Sequence, residues 1–241
     1  MTSRHMERSE PSGPPAKRLI VVGASAGGIE AVTHVLARLP RDLPAAIAVV
    51  VHHPGAHLSA LASILARVGH LPAFSARDGE VLRPGHIAVA ASDHHLLIQD
   101  GRARLFDWPR VNRVRPSIDL LFQSAALEYG RRLVAVILSG TGSDGSAGLV
   151  TVRRAGGVAV LQDPREAAFP EMPWNAMDSA GADYTASLSD MPSLLDRLVR
   201  QGLPPGTGRL EALGREALPA TPPQRARCAA STRTPSTATT R

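Results

Sequence analysis

The sequence predicts an α/β fold, a doubly wound and mainly parallel sheet with helices on both faces and a small antiparallel hairpin excursion. Two observations lead to this prediction. Short apolar runs rich in β-branched residues alternate with stretches whose apolar residues recur at helical spacing. The runs are apolar at nearly every position, as expected of parallel strands that are buried on both faces.

The first half of the chain sets the alternating order of strand and helix. Residues 19–23 form a run that stops at a glycine, and residues 28–39 then carry apolar side chains at helical spacing. A second run at 45–51 precedes a helical stretch at 59–68. Strands connected in this way usually lie parallel, with right-handed crossovers.

The middle of the chain has a different character. Apolar runs at 86–90 and 96–99 are followed by Asp100-Gly101, a two-residue hairpin signal, and then by a run at 102–106. We therefore predict an antiparallel excursion over this region.

The parallel pattern resumes after Pro116-Ser117, a good helix start, in a helix that Gly130 closes. A buried strand at 133–138 and a glycine-rich turn at 140–148 come next. The remaining predicted elements are a helix ending at Arg154, a strand at 158–161, a loop, and a helix at 192–200 closed by Gly202.

The charge of the chain lies at its two ends. The 241 residues carry a formal net charge of +6 and are 44% hydrophobic. Residues 1–18 hold four basic and two acidic side chains, residues 203–241 hold six and two, and the segment between them is neutral with seventeen of each. We predict one catalytic domain at 19–202 between two disordered tails, because the tail composition buries too little apolar surface to fold. The net charge is therefore no evidence for a nucleic-acid partner.

Composition excludes several other classes of protein. Only 3% of the residues are aromatic, and Cys228 is the single cysteine, so no disulfide or thiolate-ligated metal framework can form. No apolar run approaches the roughly 20 residues that cross a bilayer, and the first residues lack the apolar core of a signal peptide. We expect a cytoplasmic protein with no integral membrane segment, no metal and no cofactor.

Ser25 is the first candidate for chemistry. It lies in Gly23-Ala24-Ser25-Ala26-Gly27, which matches the G-x-S-x-G pattern in which small neighbours let a sharp strand-to-helix turn expose the serine hydroxyl. The same glycines would also suit a phosphate-binding loop or a purely structural turn. The motif alone leaves these three interpretations open.

Two further candidates follow other predicted strands. His52 ends the second strand, where a histidine can be a general base or an ordinary polar loop residue, and Asp144 lies in the turn at 140–148, where it can also cap a helix. Ser25, His52 and Asp144 together supply the nucleophile, the base and the orienting carboxylate of a catalytic triad at one sheet edge. The competing histidines are His53, His57, His94 and His95.

A nucleotide-binding module is the main non-catalytic alternative from the residues themselves. The turn lacks the G-x-G-x-x-G spacing, and Glu30 is too close to serve as the ribose-binding carboxylate expected about 20 residues later. The order of the three candidates, serine before histidine before aspartate, also differs from that of α/β-hydrolases.

Over roughly residues 19–202 the sequence resembles the CheB-type chemotaxis protein-glutamate methylesterases. Gly23-Ala-Ser-Ala-Gly-Gly28 is similar to the nucleophile turn of that family, and His52 with Pro54 to its histidine motif, in a register that selects His52 over His53. The segment VNRVRPSID at 111–119 and the segment LSGTGSDG at 138–145 are similar to two further family motifs.

The resemblance implies that Ser25 attacks the methyl ester of a receptor glutamate, with His52 as base and Asp144 as its orienting carboxylate. The products would be methanol and a glutamate, by way of an acyl-enzyme, and some family members also deamidate receptor glutamines. Backbone N–H groups of Ala26 and Thr141 are the expected oxyanion donors. A catalytically silent scaffold that binds receptors is the second alternative.

The resemblance also suggests partners. Methylated cytoplasmic domains of chemoreceptors are the expected substrates, and Arg113 and Arg115 are candidates to bind an acidic or polar receptor segment, although they can equally be solvated or structural. The segment at 169–173 resembles a family segment near the cleft. Many family members carry an N-terminal receiver domain, for which the 18 residues before Leu19 leave no room, so we expect a separate regulatory protein or constitutive activity.

Overall fold

The computed structural model describes residues 14–52 and 58–201, which form nine β-strands and six α-helices. The strands are β1 Leu19–Ala24, β2 Ala46–Val51, β3 Ala73–Ser75, β4 Ile87–Val89, β5 His95–Gln99, β6 Arg102–Phe106, β7 Leu133–Ile137, β8 Val158–Gln162 and β9 Tyr184–Ala186. The helices are α1 Gly28–Leu36, α2 Leu58–Val68, α3 Ile118–Tyr129, α4 Ser146–Arg154, α5 Glu171–Ala180 and α6 Met191–Gln201. Most of the two predicted tails, with Cys228, His53 and His57, lies outside these residues.

Seven strands form one sheet in the order β3-β4-β2-β1-β7-β8-β9, and every pair in it is parallel. The chain builds outward from β1 to β2 on one side, and later returns to pair β7 with the other side of β1. The strand order therefore reverses at β1, and in doubly wound sheets ligands bind beyond the carboxyl ends of the strands at such a reversal.

Successive residues of each strand point to opposite faces of the sheet and pack into two separate hydrophobic cores. Ile20 and Val22 of β1 pack with apolar residues of α1, α2 and α6, whereas Leu19 and Val21 pack with those of α3, α4, α5 and the β5–β6 hairpin. Every residue of β1 is buried, as the apolar runs in the sequence predicted. The predicted doubly wound α/β fold is thus confirmed.

The antiparallel excursion is smaller than the sequence suggested. Strands β5 and β6 pair antiparallel around Asp100 and Gly101, whose φ angles of 52° and 67° fit the two-residue turn that this dipeptide favours. The run at 86–90 is different, because its strand β4 pairs parallel with β2 and β3 inside the main sheet. Placing that run in the excursion was wrong, since an apolar run carries no mark of its pairing direction.

Three elements were not predicted at all: β3, α5 and β9. Each of the two strands has only three residues, which is too short for a period-two pattern to stand out. Helix α5 contains Pro173 in its first turn, where the missing N–H would have no partner in the helix. The prolines at 170 and 173 made the segment look like a loop.

The packed part of the chain begins slightly before β1. Ala16 is buried, and its N–H donates to the carbonyl of Leu82 at 2.8 Å. Within the described residues, no helix is long and apolar enough to span a bilayer.

Helices α3 and α4 approach each other closely at Gly148. A Cβ atom on Gly148 would lie 2.7 Å from Cβ of Phe122 and 3.0 Å from the carbonyl oxygen of Asp119. Both atoms belong to α3, and one is backbone, so the clash could be relieved only by moving the helices apart.

Gly148→Ala should therefore destabilise the protein, although alanine normally improves a helix interior by about 1 kcal/mol over glycine. We expect the free energy of unfolding in urea to fall by about 1–3 kcal/mol, as overpacking usually causes. Thr151→Ala, at a half-buried position of the same helix, should change it by less than about 0.7 kcal/mol. A stabilised Gly148→Ala variant would show that the contact is not tight.

Candidate active site

The three candidate residues lie at the carboxyl ends of three adjacent strands. Ser25 directly follows β1, His52 directly follows β2, and Asp144 lies in the turn between β7 and α4. Because β1 is paired with β2 on one side and β7 on the other, residues far apart in the sequence converge on the point where the strand order reverses.

The backbone around Ser25 forms a tight turn between β1 and α1. Ser25 N–H donates to the carbonyl of Ser139 at 3.0 Å, and its own carbonyl accepts from the N–H of Gly28 at 2.8 Å. Gly27 has a φ of 67°, a conformation that costs a side-chain-bearing residue energy. A Cβ on Gly140 would lie 2.9 Å from Cβ of Ser25, so glycine also lets the β7 turn reach the serine.

His52 is held beside Asp144. Its backbone N–H donates to the carbonyl of Ala24 at 2.9 Å, and its ring Nε2 lies 3.0 Å from Asp144 Oδ2. This contact places a ring nitrogen of His52 at ion-pair distance from a carboxylate oxygen of Asp144. Nδ1 is the ring atom that remains for the serine, and no hydrogen bond between the described residues joins Ser25 Oγ to it.

Asp144 is 6% exposed and receives several hydrogen bonds from the start of α3. Its oxygens accept from Ser117 Oγ at 3.0 Å, from the N–H of Ile118 at 2.6 Å and from the N–H of Asp119 at 3.2 Å. Burial raises the pKa of Asp144, but the contact with His52 and these N–H groups outweigh it and hold the pKa below its usual value. Asp144 is therefore a carboxylate at neutral pH, as an orienting partner of histidine must be.

Asp119 lies against Asp144 and makes the matching set of bonds. Its Oδ1 accepts from the N–H groups of Gly145 at 2.9 Å and Gly148 at 2.7 Å, and its Oδ2 accepts from Asn112 Nδ2 at 3.3 Å. Burial and the neighbouring negative charge of Asp144 raise the pKa of Asp119 to about 6. The pKa of Asp119 therefore lies above that of its neighbour Asp144, and Asp119 is the first of the two carboxylates to take up a proton as the pH falls.

His95 supports the site from β5 and is fully buried. Its Nδ1 accepts from the N–H of Ser117 at 3.2 Å, so its Nε2 carries the proton and donates to the carbonyl of Pro109 at 3.1 Å. Burial lowers the pKa of His95, which keeps the ring neutral and preserves this acceptor. His95 therefore fixes Ser117, the residue whose hydroxyl donates to Asp144.

A cleft of about 560 Å³ opens over Ser25 and His52, a volume typical of small-ligand sites. Arg110, Arg113 and Arg115 line one of its walls. The Arg115 guanidinium bonds to Asp93 at 2.6 Å and to the carbonyls of Asp107 and Trp108, whereas the side chains of Arg110 and Arg113 are exposed.

Arg113 occupies a strained position in this wall. The backbone groups of Val111 and Val114 hydrogen-bond to each other at 3.1 and 2.9 Å, which closes a two-residue turn. The central residues, Asn112 and Arg113, have φ angles of 50° and 68°. Glycine is the preferred second residue of such a turn, and a left-handed arginine costs on the order of 1–3 kcal/mol.

The two residues whose backbone N–H groups are expected to bind an oxyanion both line the cleft. Ala26 and Thr141 line it, and neither N–H donates to an acceptor among the described residues. The N–H of Ala26 also lies next to the start of α1, where the helix dipole favours negative charge.

The segment at 169–173 lies against the glycine-rich turn. Its Phe169 carbonyl accepts from the N–H of Gly140, and the Gly140 carbonyl accepts from the N–H of Met172, both at 2.9 Å. Ser139 Oγ donates to the carbonyl of Ala26 and accepts from the N–H of Phe169. These bonds connect the serine turn, the aspartate turn and α5.

Neither of the competing histidines that the structure describes, His94 and His95, lines the cleft. His94 is exposed and contacts the carbonyl of Ser92, and His95 is buried behind Ser117. No group of three or more acidic, histidine or cysteine side chains within residues 14–52 and 58–201 is placed to hold a metal ion.

Four residues at the candidate site were assigned no catalytic or supporting role from the sequence: His95, Ser117, Asp119 and Arg110. The segment at 111–119 contains Ser117 and Asp119, and its similarity to a family motif is the one signal that pointed to them. The Pro-Ser pair indicated a helix start, and Ser117 Oγ does accept from the N–H of Leu120, but nothing indicated that the same hydroxyl donates to Asp144. His95 lies in a strand pattern in which its side chain carries no local signal. These roles depend on contacts between residues more than twenty positions apart.

Comparison with known proteins identifies similar chains. Residues 20–195 match the family model described as CheB methylesterase. The protein is 39% identical over 197 residues to the protein-glutamate methylesterase/protein-glutamine glutaminase 2 of Anaeromyxobacter dehalogenans, a match that covers 82% of this chain and 58% of that protein. It is 38% identical over 210 residues to the protein-glutamate methylesterase/protein-glutamine glutaminase of Chromohalobacter salexigens. That match covers 80% of this chain and 59% of the Chromohalobacter protein.

A solved structure is also similar. The crystal structure of the Thermotoga maritima CheB methylesterase catalytic domain matches with a TM-score of 0.72 and 32% sequence identity, covering 78% of this chain and 100% of that one. The chain spans between half and three-fifths of the length of the curated relatives described above.

Proposed function

Because the chain belongs to the CheB methylesterase family, we propose that it hydrolyses glutamate methyl esters on methyl-accepting chemoreceptors and releases methanol. The observation that carries this proposal is the His52–Asp144 pair, 3.0 Å apart and beside Ser25 at the edge of the sheet. A serine hydroxyl is a weak nucleophile at neutral pH and needs such a base, held by such a carboxylate.

The proposed reaction proceeds through an acyl-enzyme. Ser25 Oγ attacks the ester carbonyl carbon while His52 Nδ1 takes the hydroxyl proton, and the same proton then leaves with the methoxide as methanol. Water attacks the acyl-enzyme in the second half, again giving a proton to His52, and the glutamate and Ser25 are released. Asp144 stabilises the imidazolium in both halves, and its lowered pKa supports that role.

The negative oxygen that develops in each half needs donors in fixed positions. The N–H groups of Ala26 and Thr141 are the proposed donors. The assignment is supported because both residues line the cleft and neither N–H donates to an acceptor among the described residues. Fixed backbone donors of this kind typically lower the activation free energy by several kcal/mol.

The same site would accept a glutamine side chain. Acylation of Ser25 by an amide releases ammonia instead of methanol, and the second half of the reaction is unchanged. The descriptions of the two curated relatives name both activities. We therefore propose receptor glutamine deamidation as a second reaction of this site.

Receptor recognition is proposed for the arginine wall of the cleft. Arg113 is exposed, lines the cleft and sits in a strained turn, and strain of this kind is concentrated at functional sites. Arg110 adds a second exposed positive charge, whereas the bonds of Arg115 suit it to holding the wall together. A glutamate-rich receptor segment would complement this wall, and such a partner would place the enzyme in the cytoplasm. A separate regulatory protein stays a prediction.

Methanol release tests the proposed function. The wild-type protein should release methanol from methylated receptor membranes, and Ser25→Ala should lower the rate by about 10⁴-fold or more, as loss of a triad nucleophile does. Ser63→Ala, at a position in helix α2, is the matched control and should leave the rate unchanged. Equal methanol release by wild type and Ser25→Ala would exclude the serine mechanism.

Arg113→Gly separates recognition from stability. Glycine relieves the left-handed strain, so the free energy of unfolding should stay the same or rise by up to about 1 kcal/mol. The value of kcat/KM for methylated receptor should fall about tenfold, mainly through KM, because a binding contact is lost. Arg113→Lys keeps the positive charge and should therefore retain part of the kcat/KM that Arg113→Gly loses. A receptor KM that is unchanged in Arg113→Gly would remove Arg113 from the binding site.

A further inference from the structure

Asp119 is a buried carboxyl group that the mechanism above does not use. We propose that Asp119 is a positioning residue that holds Asp144 against His52 and leaves it free to receive the imidazolium. This inference rests on the proposed esterase function, since it concerns the same site, and it assigns a role to a residue that does not touch the substrate.

The geometry is a reciprocal exchange between two helix starts. Asp144 precedes α4 but accepts the N–H groups of Ile118 and Asp119 at the start of α3. Asp119 belongs to α3 but accepts the N–H groups of Gly145 and Gly148 at the start of α4. Each aspartate therefore fixes the backbone that carries the other.

Asp119 supplies the carboxylate that helix α4 lacks in its own sequence. The residue before the helix is Gly145, which has no side chain to cap it, and the first turn of α4 contains no acidic residue. The bonds from Asp119 to Gly145 and Gly148 span the residue after Asp144 and the first turn of α4. Movement of Asp119 must therefore move the backbone at Asp144, and with it the 3.0 Å contact to His52.

The charged and titratable groups around Asp119 come from three directions. Asp144 faces it from the β7–α4 turn, His52 lies behind Asp144 at the end of β2, and His95 on β5 connects through Ser117. Asn112 from the arginine wall is its neutral partner. Among the described residues, no lysine or arginine forms an ion pair with Asp119.

Protonation of Asp119 would therefore weaken the site. A protonated carboxyl gains one O–H donor, and the adjacent acceptor with spare capacity is the Asp144 carboxylate. That donor would compete with His52 for Asp144. Because the pKa of Asp119 is raised to about 6, the working charged form is lost as the pH falls through that value.

The test is the acid side of the pH profile of kcat/KM for methanol release from methylated receptor membranes, measured with the full chain. In wild type the charged form of Asp119 is lost as the pH falls through about 6, so log kcat/KM should fall more steeply with falling pH than in a variant that lacks this ionisable group. Asp119→Asn keeps the acceptor for Gly145 and Gly148 but cannot ionise. The acid-side slope of log kcat/KM against pH in this variant should be shallower than the wild-type slope by up to about 1, and its kcat at pH 8 should be about tenfold lower than that of wild type.

Asp183→Asn is the matched control. Asp183 also accepts a backbone N–H, that of Ala159, and pairs with Arg153. It directly precedes β9 and therefore lies at the amino ends of the strands, whereas Asp144 and His52 lie at the carboxyl ends. Its replacement should lower the melting temperature without changing the slope. A purely structural Asp119 would behave in the same way, so a wild-type slope and wild-type kcat in Asp119→Asn would overturn the inference.

Asn112→Gly keeps the inference testable if Asp119→Asn does not fold. Glycine suits the left-handed conformation at 112 and removes the side-chain donor to Asp119 Oδ2. Loss of that donor should raise the pKa of Asp119, so the ratio of activity at pH 6 to activity at pH 8 should fall. An unchanged ratio would contradict the inference. Wild-type protein without methanol release would instead reject the proposed function.

Discussion

The candidate site depends on a reciprocal pair of hydrogen-bonded contacts between Asp144 and the start of α3 and between Asp119 and the start of α4. Each side chain leaves its own segment and accepts N–H groups from the other, and Gly148 permits the close helix contact that this exchange requires. Buried carboxylates are costly unless they are fully hydrogen-bonded. Here the N–H groups at both helix starts provide the hydrogen bonds, so the stability of the fold and the placement of Asp144 come from the same contacts.

The sheet explains why the three proposed catalytic residues meet although they are distant in the sequence. Strand β1 has β2 on one side and β7 on the other, so Ser25, His52 and Asp144 leave the sheet at neighbouring points. Small residues then bring the turns together, as at Gly140 beside Ser25. The position of the site follows from where the strand order reverses, and its chemistry follows from the residues placed there.

The sequence was sufficient to predict the doubly wound sheet and the edge of it at which the candidate residues lie, because long apolar runs and glycine-rich turns are local signals. It was insufficient for β4, whose parallel pairing depends on a partner far along the chain, and for the short β3 and β9. The contacts that support Asp144 could not be predicted from the sequence for the same reason. His95 acts through Ser117, and Asp119 through Gly145, and no spacing in the sequence marks either contact.

The most direct test of a serine mechanism is to locate the covalent adduct left by a fluorophosphonate, which reacts only with an activated serine. Intact mass followed by peptide mapping should place one adduct on Ser25, and its rate of formation should fall by orders of magnitude when His52 or Asp144 is replaced. An adduct on another serine, or a rate at Ser25 that does not depend on His52, would contradict the account of this site.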